Sequence, residues 1–160
     1  MNHSQYNYVS SLSRLQQEAA NGYAHLVTAA KTEYRNMPIF VRPSECNQGS
    51  LIVDQTAQNI LTKCRLHDVG TPYEVFSNGG CLFDSVSVSL CGTQEFSTEL
   101  RVRTTIEMIR LKSRIMSLPV TPSLMTVSPN YVASVFSCAS PGVTHQYGQY
   151  LLWQMLLVCL

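Results

Sequence analysis

Charge is scarce in this chain. Asp, Glu, Lys and Arg make up 13% of its 160 residues, half of the roughly 25% usual in soluble domains. The two signs nearly cancel, with 11 basic against 10 acidic side chains. A protein that coats a polyanion takes its affinity from an excess of Lys and Arg, so nucleic acid is not an expected partner of this chain. Long apolar runs are missing as well. The longest, Tyr150–Leu160, has eleven residues, well short of the ~20 that a spanning helix needs. The opening Met1–Ser10 lacks a basic stretch followed by an apolar one, so no signal peptide is legible there. No membrane partner is expected.

Metal-binding patterns are also lacking. The six cysteines (Cys46, Cys64, Cys81, Cys91, Cys138, Cys159) form no C-x-x-C pair. The four histidines (His3, His25, His67, His145) do not stand near them at zinc-finger spacing. No metal and no cofactor are expected. Without an export signal the cysteines read as reduced thiols in an intracellular protein, cytoplasmic or nuclear. No internal repeat and no low-complexity tract is present.

What is present is material for a core: 45% of the residues are apolar, enough for one domain of this length with a loosely attached arm. Polarity comes mainly from Ser and Thr, 30 residues in all, which is not a disorder-like composition.

Residues 1–45 read as helical. Ser13 with Gln16 makes a capping box, and Asn21-Gly22 stops the first helix. A second runs from Tyr23 to about Met37, with a stripe at Leu26, Ala29 and Ala30, and ends before Pro38. Pro38–Gly49 reads as a linker. Ser50–His67 is ambiguous. Leu51-Ile52-Val53 looks like a strand, but Ile52, Ala57, Ile60, Leu61 and Cys64 fit a helix started by Ser50, which is favoured.

Further on, Tyr73–Phe76 reads as a short strand before the tight bend Ser77–Cys81. Cys81–Leu90 is ambiguous again: Ser85–Leu90 alternates like a strand, while Phe83, Val86 and Leu90 fit one helix face. Ser97 caps the clearest helix, about Thr98–Ser117, with Val102, Ile106, Ile109 and Met116 along one side. Its five basic residues, Arg101, Arg103, Arg110, Lys112 and Arg114, read as a solvated face, with Glu107 in reach of Arg103 and Arg110. Ser128-Pro129 starts a helix through Phe136, and Gln146–Leu160 reads as the last helix, with Leu151, Leu152, Met155, Leu156 and Cys159 at helical spacing.

The segment Asn78-Gly79-Gly80-Cys81-Leu82-Phe83 is the most unusual. Adjacent glycines let backbone N–H groups converge. A cysteine opening a helix after such a bend faces the helix's positive end, which favours a nucleophilic thiolate. The same N–H groups suit an oxyanion. The bland alternative is a buried cysteine beside a structural turn, and spacing alone favours it.

Asn78–Ser85 (NGGCLFDS) resembles the D-G-N-C-L-F-R-[AS] signature of the ovarian-tumour (OTU) domain cysteine peptidases. Leu90-Cys91-Gly92 resembles the L-x-G turn that follows, and Thr98-Glu99-Leu100-Arg101 the x-E-L-R that opens the next helix. The run Glu99–Met108 is closer to divergent animal members, the vertnin group among them. The resemblance is strong over about residues 73–116 and absent from residues 1–65.

It implies an α+β fold, an α-rich partial OTU-like fold of the papain superfamily with an N-terminal helical arm. Residues 1–66 would be arm and linker, and residues 67–160 the OTU-like domain, incomplete at the C-terminus. It implies Cys81 as the nucleophile, Asn78 as a second catalytic position, and Asn78, Gly79, Gly80 and Cys81 as the oxyanion loop. It implies helix for Cys81–Leu90. The implied partner is ubiquitin or a ubiquitinated protein, and the implied reaction thiol attack on an isopeptide bond. Three positions depart from the signature: Asn78 replaces Asp, Gly80 replaces Asn, and Asp84 replaces Arg. A carboxylate close to a thiol works against the thiolate. The family's catalytic histidine lies on a strand beyond the helix resembling Gln146–Leu160, and His145 has no counterpart among the family's catalytic residues. The expectation is therefore a chain without peptidase activity in this form; the alternative is a non-catalytic interaction or vertnin-like regulatory module.

Overall fold

A computed structural model describes residues 6–43, 51–66, 70–75, 81–117 and 130–139. Among these residues there are seven helices and no strand. By packing, the chain divides into two compact units: Met1–Val41 with Thr98–Leu160, and Arg42–Ser97. This is a division by packing, distinct from the expected boundary between residues 66 and 67.

In the first unit, α1 spans Tyr8–Ala20 and α2 spans Tyr23–Asn36. The expected cap at Ser13 is corrected. Asn7 caps α1 by accepting the Ser10 N–H at 2.9 Å. Ser13 sits inside the helix, its hydroxyl donating to the Val9 carbonyl at 3.1 Å. The earlier start brings Ser11 and Leu15 onto one buried face, a gain that outweighs the local capping preference. Asn21 ends α1 as expected, and Gly22, at φ 110°, supplies the conformation that lets α2 follow at once.

The two helices pack on each other. α2 buries Leu26, Ala30 and Glu33. The acid is tolerated because Arg14 pairs with it and the Tyr6 hydroxyl donates to it, as a buried carboxylate requires.

α5 (Ser97–Arg110) and α6 (Lys112–Met116) replace the single helix expected over Thr98–Ser117. The break at Leu111 coincides with two tyrosine hydroxyls on the last turn of α5. Tyr23 donates to the Ile109 carbonyl and Tyr131 to the Met108 carbonyl, each at 2.7 Å. Carbonyls at a helix end lack intrahelical partners, and here side chains supply them. α7 (Tyr131–Ala139) starts at Asn130, whose side chain accepts the Ala133 N–H at 3.1 Å. The expected start signal Ser128-Pro129 lies outside the described residues, as does the expected helix Gln146–Leu160.

One core joins these elements. Leu15, Leu26 and Ala30 meet Val102, Ile106 and Ile109, together with Ile115, Tyr131 and Val135. Met116, expected on the buried side, is 39% exposed.

In the second unit, Val53 and Tyr73 form an isolated antiparallel bridge, with Glu74 N–H on the Ile52 carbonyl at 2.8 Å and Asp54 N–H on the Pro72 carbonyl at 3.0 Å. Only Tyr73 of the expected strand Tyr73–Phe76 takes part in the bridge, and Phe76 lies outside the described residues. α3 spans Gln55–Lys63 and is capped by Asp54, which accepts the Ala57 N–H at 2.9 Å. The expected start at Ser50 is thereby moved to Asp54. Both sequence readings contribute, since Val53 is extended and the residues after it are helical. α4 spans Cys81–Cys91.

Candidate thiol site

α4 resolves the ambiguity at Ser85–Leu90 in favour of helix. The β-like alternation of Ser and Val has a different cause. α4 buries Phe83, Asp84, Ser87 and Cys91, residues that share one side at helical spacing. This corrects the expected face of Phe83, Val86 and Leu90: Val86 and Leu90 are half-buried.

The polar members of the buried face have partners in the α4–α5 connection. The Ser87 hydroxyl donates to the Thr93 carbonyl at 2.5 Å and accepts the Phe96 N–H at 3.2 Å. One oxygen of Asp84 accepts the hydroxyl of Ser97. The other has no hydrogen-bond partner among the described residues. Asp84 is 4% exposed. It lies in the first turn of α4 and touches the first residue of α5, and negative charge is stabilised near helix N-termini.

Cys81 is the first residue of α4 and is exposed. One turn on, the Ser85 hydroxyl donates to the Cys81 carbonyl at 2.7 Å. Asn78, Gly79 and Gly80, the other residues of the expected oxyanion loop, lie outside the described residues. So do His3, His67 and His145. His25 is exposed on α2 in the first unit. Cys64, Cys81 and Cys91 form no disulfide among the described residues. No group of His, Cys, Asp and Glu able to hold a metal occurs among the described residues. No described helix is long and apolar enough to cross a membrane.

Residues 72–148 match the family model described as the vertnin OTU domain. The match is that of a divergent, vertnin-like OTU domain. The match takes in Cys81, Asp84 and the whole of α4 and α5. No curated protein and no solved structure matches the chain.

In this OTU-like domain the basic run of α5 and α6 is only in part the solvated face expected from sequence: Arg114 is exposed, while the other four are held by the protein. Arg101 is 7% exposed. Arg103 pairs with Glu99 at 2.6 Å, donates to the Pro38 carbonyl at 2.5 Å and lies over the Phe40 ring. Arg110 pairs with Glu107 at 2.6 Å, as expected, and lies over the Tyr34 ring at 3.6 Å. Lys112 lies over the Tyr23 ring at 4.2 Å. Sequence reasoning did not find the contacts of Ser87. Its only signal, a serine among apolar neighbours, has many other meanings.

Proposed function

We propose that this OTU-like domain has the papain-superfamily α+β architecture of the cysteine peptidases, with Cys81 at the position of the thiol nucleophile and a ubiquitin isopeptide as substrate class. Residues 67–160 would form the domain and residues 1–66 its helical arm and linker. The supporting observation is that Cys81 is the exposed first residue of α4, inside the segment that the family matches. In the proposed chemistry the thiolate attacks the isopeptide carbonyl. The backbone N–H groups of Asn78–Cys81 hold the oxyanion, the lysine amine leaves, and water releases the acyl group from sulfur.

Two features weigh against turnover. Asn78 lacks the charge of the family's usual aspartate, and Asp84 places a carboxylate one turn from the thiol. A general base would be worth typically about 10²–10⁴-fold, and no described residue is assigned that role. Residues 1–160 are therefore expected to leave ubiquitin chains uncut and to take little label from ubiquitin carrying a thiol-reactive end. Robust labelling lost in both Cys81→Ala and His145→Ala would overturn this and make His145 the base. Labelling lost only in Cys81→Ala would establish a reactive nucleophile.

A second reading, a non-catalytic interaction module on the same scaffold, is favoured by Asp84 itself. This motif position holds a buried carboxylate bonded to Ser97, a scaffold contact. Titration of Cys81→Ala with ubiquitin separates the two readings. Binding supports the ubiquitin-directed site, and no binding together with no labelling supports the interaction module.

A further inference from the structure

We infer that Asp84, through its bond to Ser97, is a positioning residue for Cys81. The inference rests on the reading of Cys81 as the nucleophile position. Apolar patterning does not select the observed rotation of α4: Leu82, Phe83, Val86 and Leu90 lie within an arc of roughly 100°, with Val88 opposite, yet only Phe83 of these is on the buried face. At 100° per residue, the apolar face of Phe83, Val86 and Leu90 and the observed face of Phe83, Asp84, Ser87 and Cys91 have centres roughly 80° apart. What distinguishes the observed rotation is polar. Only there do Asp84 and Ser87 meet Ser97, Thr93 and Phe96.

Asp84 is the member nearest to Cys81, one turn away, so it sets the direction in which the thiol leaves the helix. Swinging the first turn by roughly 80° carries Cys81 from the flank of the exposed side to its centre. Attack geometry does not tolerate such a change, since a misplacement of about 1 Å can cost 10²-fold.

The test uses the whole chain and iodoacetamide. Alkylation rates at Cys81 and at the exposed Cys64 are read from peptide masses, with Cys64 as internal reference. Asp84→Ala and Ser97→Ala are each expected to raise the Cys81 to Cys64 ratio about threefold or more, because access governs thiol reactivity. Ser97→Ala keeps the carboxylate, so a rise there is positional and not a charge effect. Asp84→Asn keeps an acceptor for the Ser97 hydroxyl and is expected to restore the wild-type ratio. A rise in Asp84→Asn with none in Ser97→Ala would show charge alone at work and overturn the inference. A lowered melting temperature with unchanged ratios would overturn it too. If Asp84→Ala fails to fold, Ser97→Ala and Asp84→Asn decide by the same criteria. Ubiquitin binding to Cys81→Ala keeps the two ideas apart. Responsive ratios without binding refute the ubiquitin-directed nucleophile reading alone, and binding with unresponsive ratios refutes the positioning role alone.

Discussion

Leu26→Ala tests whether the N-terminal helices are a detachable arm or part of the core that α5 needs. Leu26 lies on α2, is 0% exposed, and belongs to the same cluster as Val102, Ile106 and Ile109. Removing three carbons from such a site costs the lost transfer energy plus a cavity term, about 2–5 kcal/mol. Taking ~3 kcal/mol, and about 2–4 °C per kcal/mol for a chain of this size, the melting temperature falls by roughly 6–12 °C. Val9→Ala is the control. Val9 is on α1 and 64% exposed, so its change stays within about 0.5 kcal/mol. The assay is thermal and urea unfolding followed by circular dichroism, with hydrogen exchange read separately on α2 and α5. A shared core requires Leu26→Ala to lower protection of the α5 amides as much as those of α2. If α2 loses protection while α5 keeps it, or if Leu26→Ala behaves like Val9→Ala, the shared core is refuted.

Tyr131→Phe leaves the Met108 carbonyl without its hydroxyl donor in a buried setting, and urea unfolding is expected to show a loss of about 1–3 kcal/mol. No loss would mean that the bond does not cap α5. Burial first, and then the neighbouring Glu33 or Glu99 carboxylate, pushes Tyr6 and Tyr8 up to about 12 from an ordinary 10. The neutral hydroxyl is thus favoured in the folded state. Its contribution is complete below pH 10 and is lost as the pH rises through about 12. Stability should fall over that window, less steeply in Tyr6→Phe, and an unchanged alkaline slope in that variant would contradict the assignment.

Parts of this architecture were legible because local chemistry and tertiary packing agree there. Asn21-Gly22 stops α1, and Pro38 bounds α2. The motif run around Cys81 correctly overruled the β-like alternation of Ser85–Leu90. Other parts were not, because the deciding partner lies far away in sequence. Ser13 offers a good local cap, but burial of Leu15 and Ser11 selects Asn7. Nothing near residue 111 signals the break in α5, since the hydroxyls on its last turn come from Tyr23 and Tyr131. The buried side of α4 was misjudged because apolar spacing cannot register that Asp84 and Ser87 have partners waiting in residues 93–97. At the candidate site family resemblance implied the helix that opens with Cys81, and the fold contains it, while the polar contacts of that helix are visible only in the fold.

The same distinction separates a family boundary from a folding boundary. The family match begins at residue 72, yet α5 within it buries its apolar side against Leu15, Leu26 and Ala30. Its basic residues are likewise tied to earlier residues: Arg103 to Pro38 and Phe40, Arg110 to Tyr34. Lys112 on α6 follows the same pattern with Tyr23. Each cation over an aromatic ring is worth only about 0.5–1 kcal/mol at partly exposed positions, so these contacts fix register more than they supply stability. The apolar burial beneath them carries the larger share, at roughly 1.5–3 kcal/mol per enclosed Leu or Ile. Cutting the chain at the family boundary would remove both at once. It would leave Val102, Ile106 and Ile109 without the side chains of α1 and α2 that enclose them, and the Ile109 carbonyl without the Tyr23 hydroxyl. The unit that folds around α5 therefore includes residues 6–41, although the family resemblance carries nothing there.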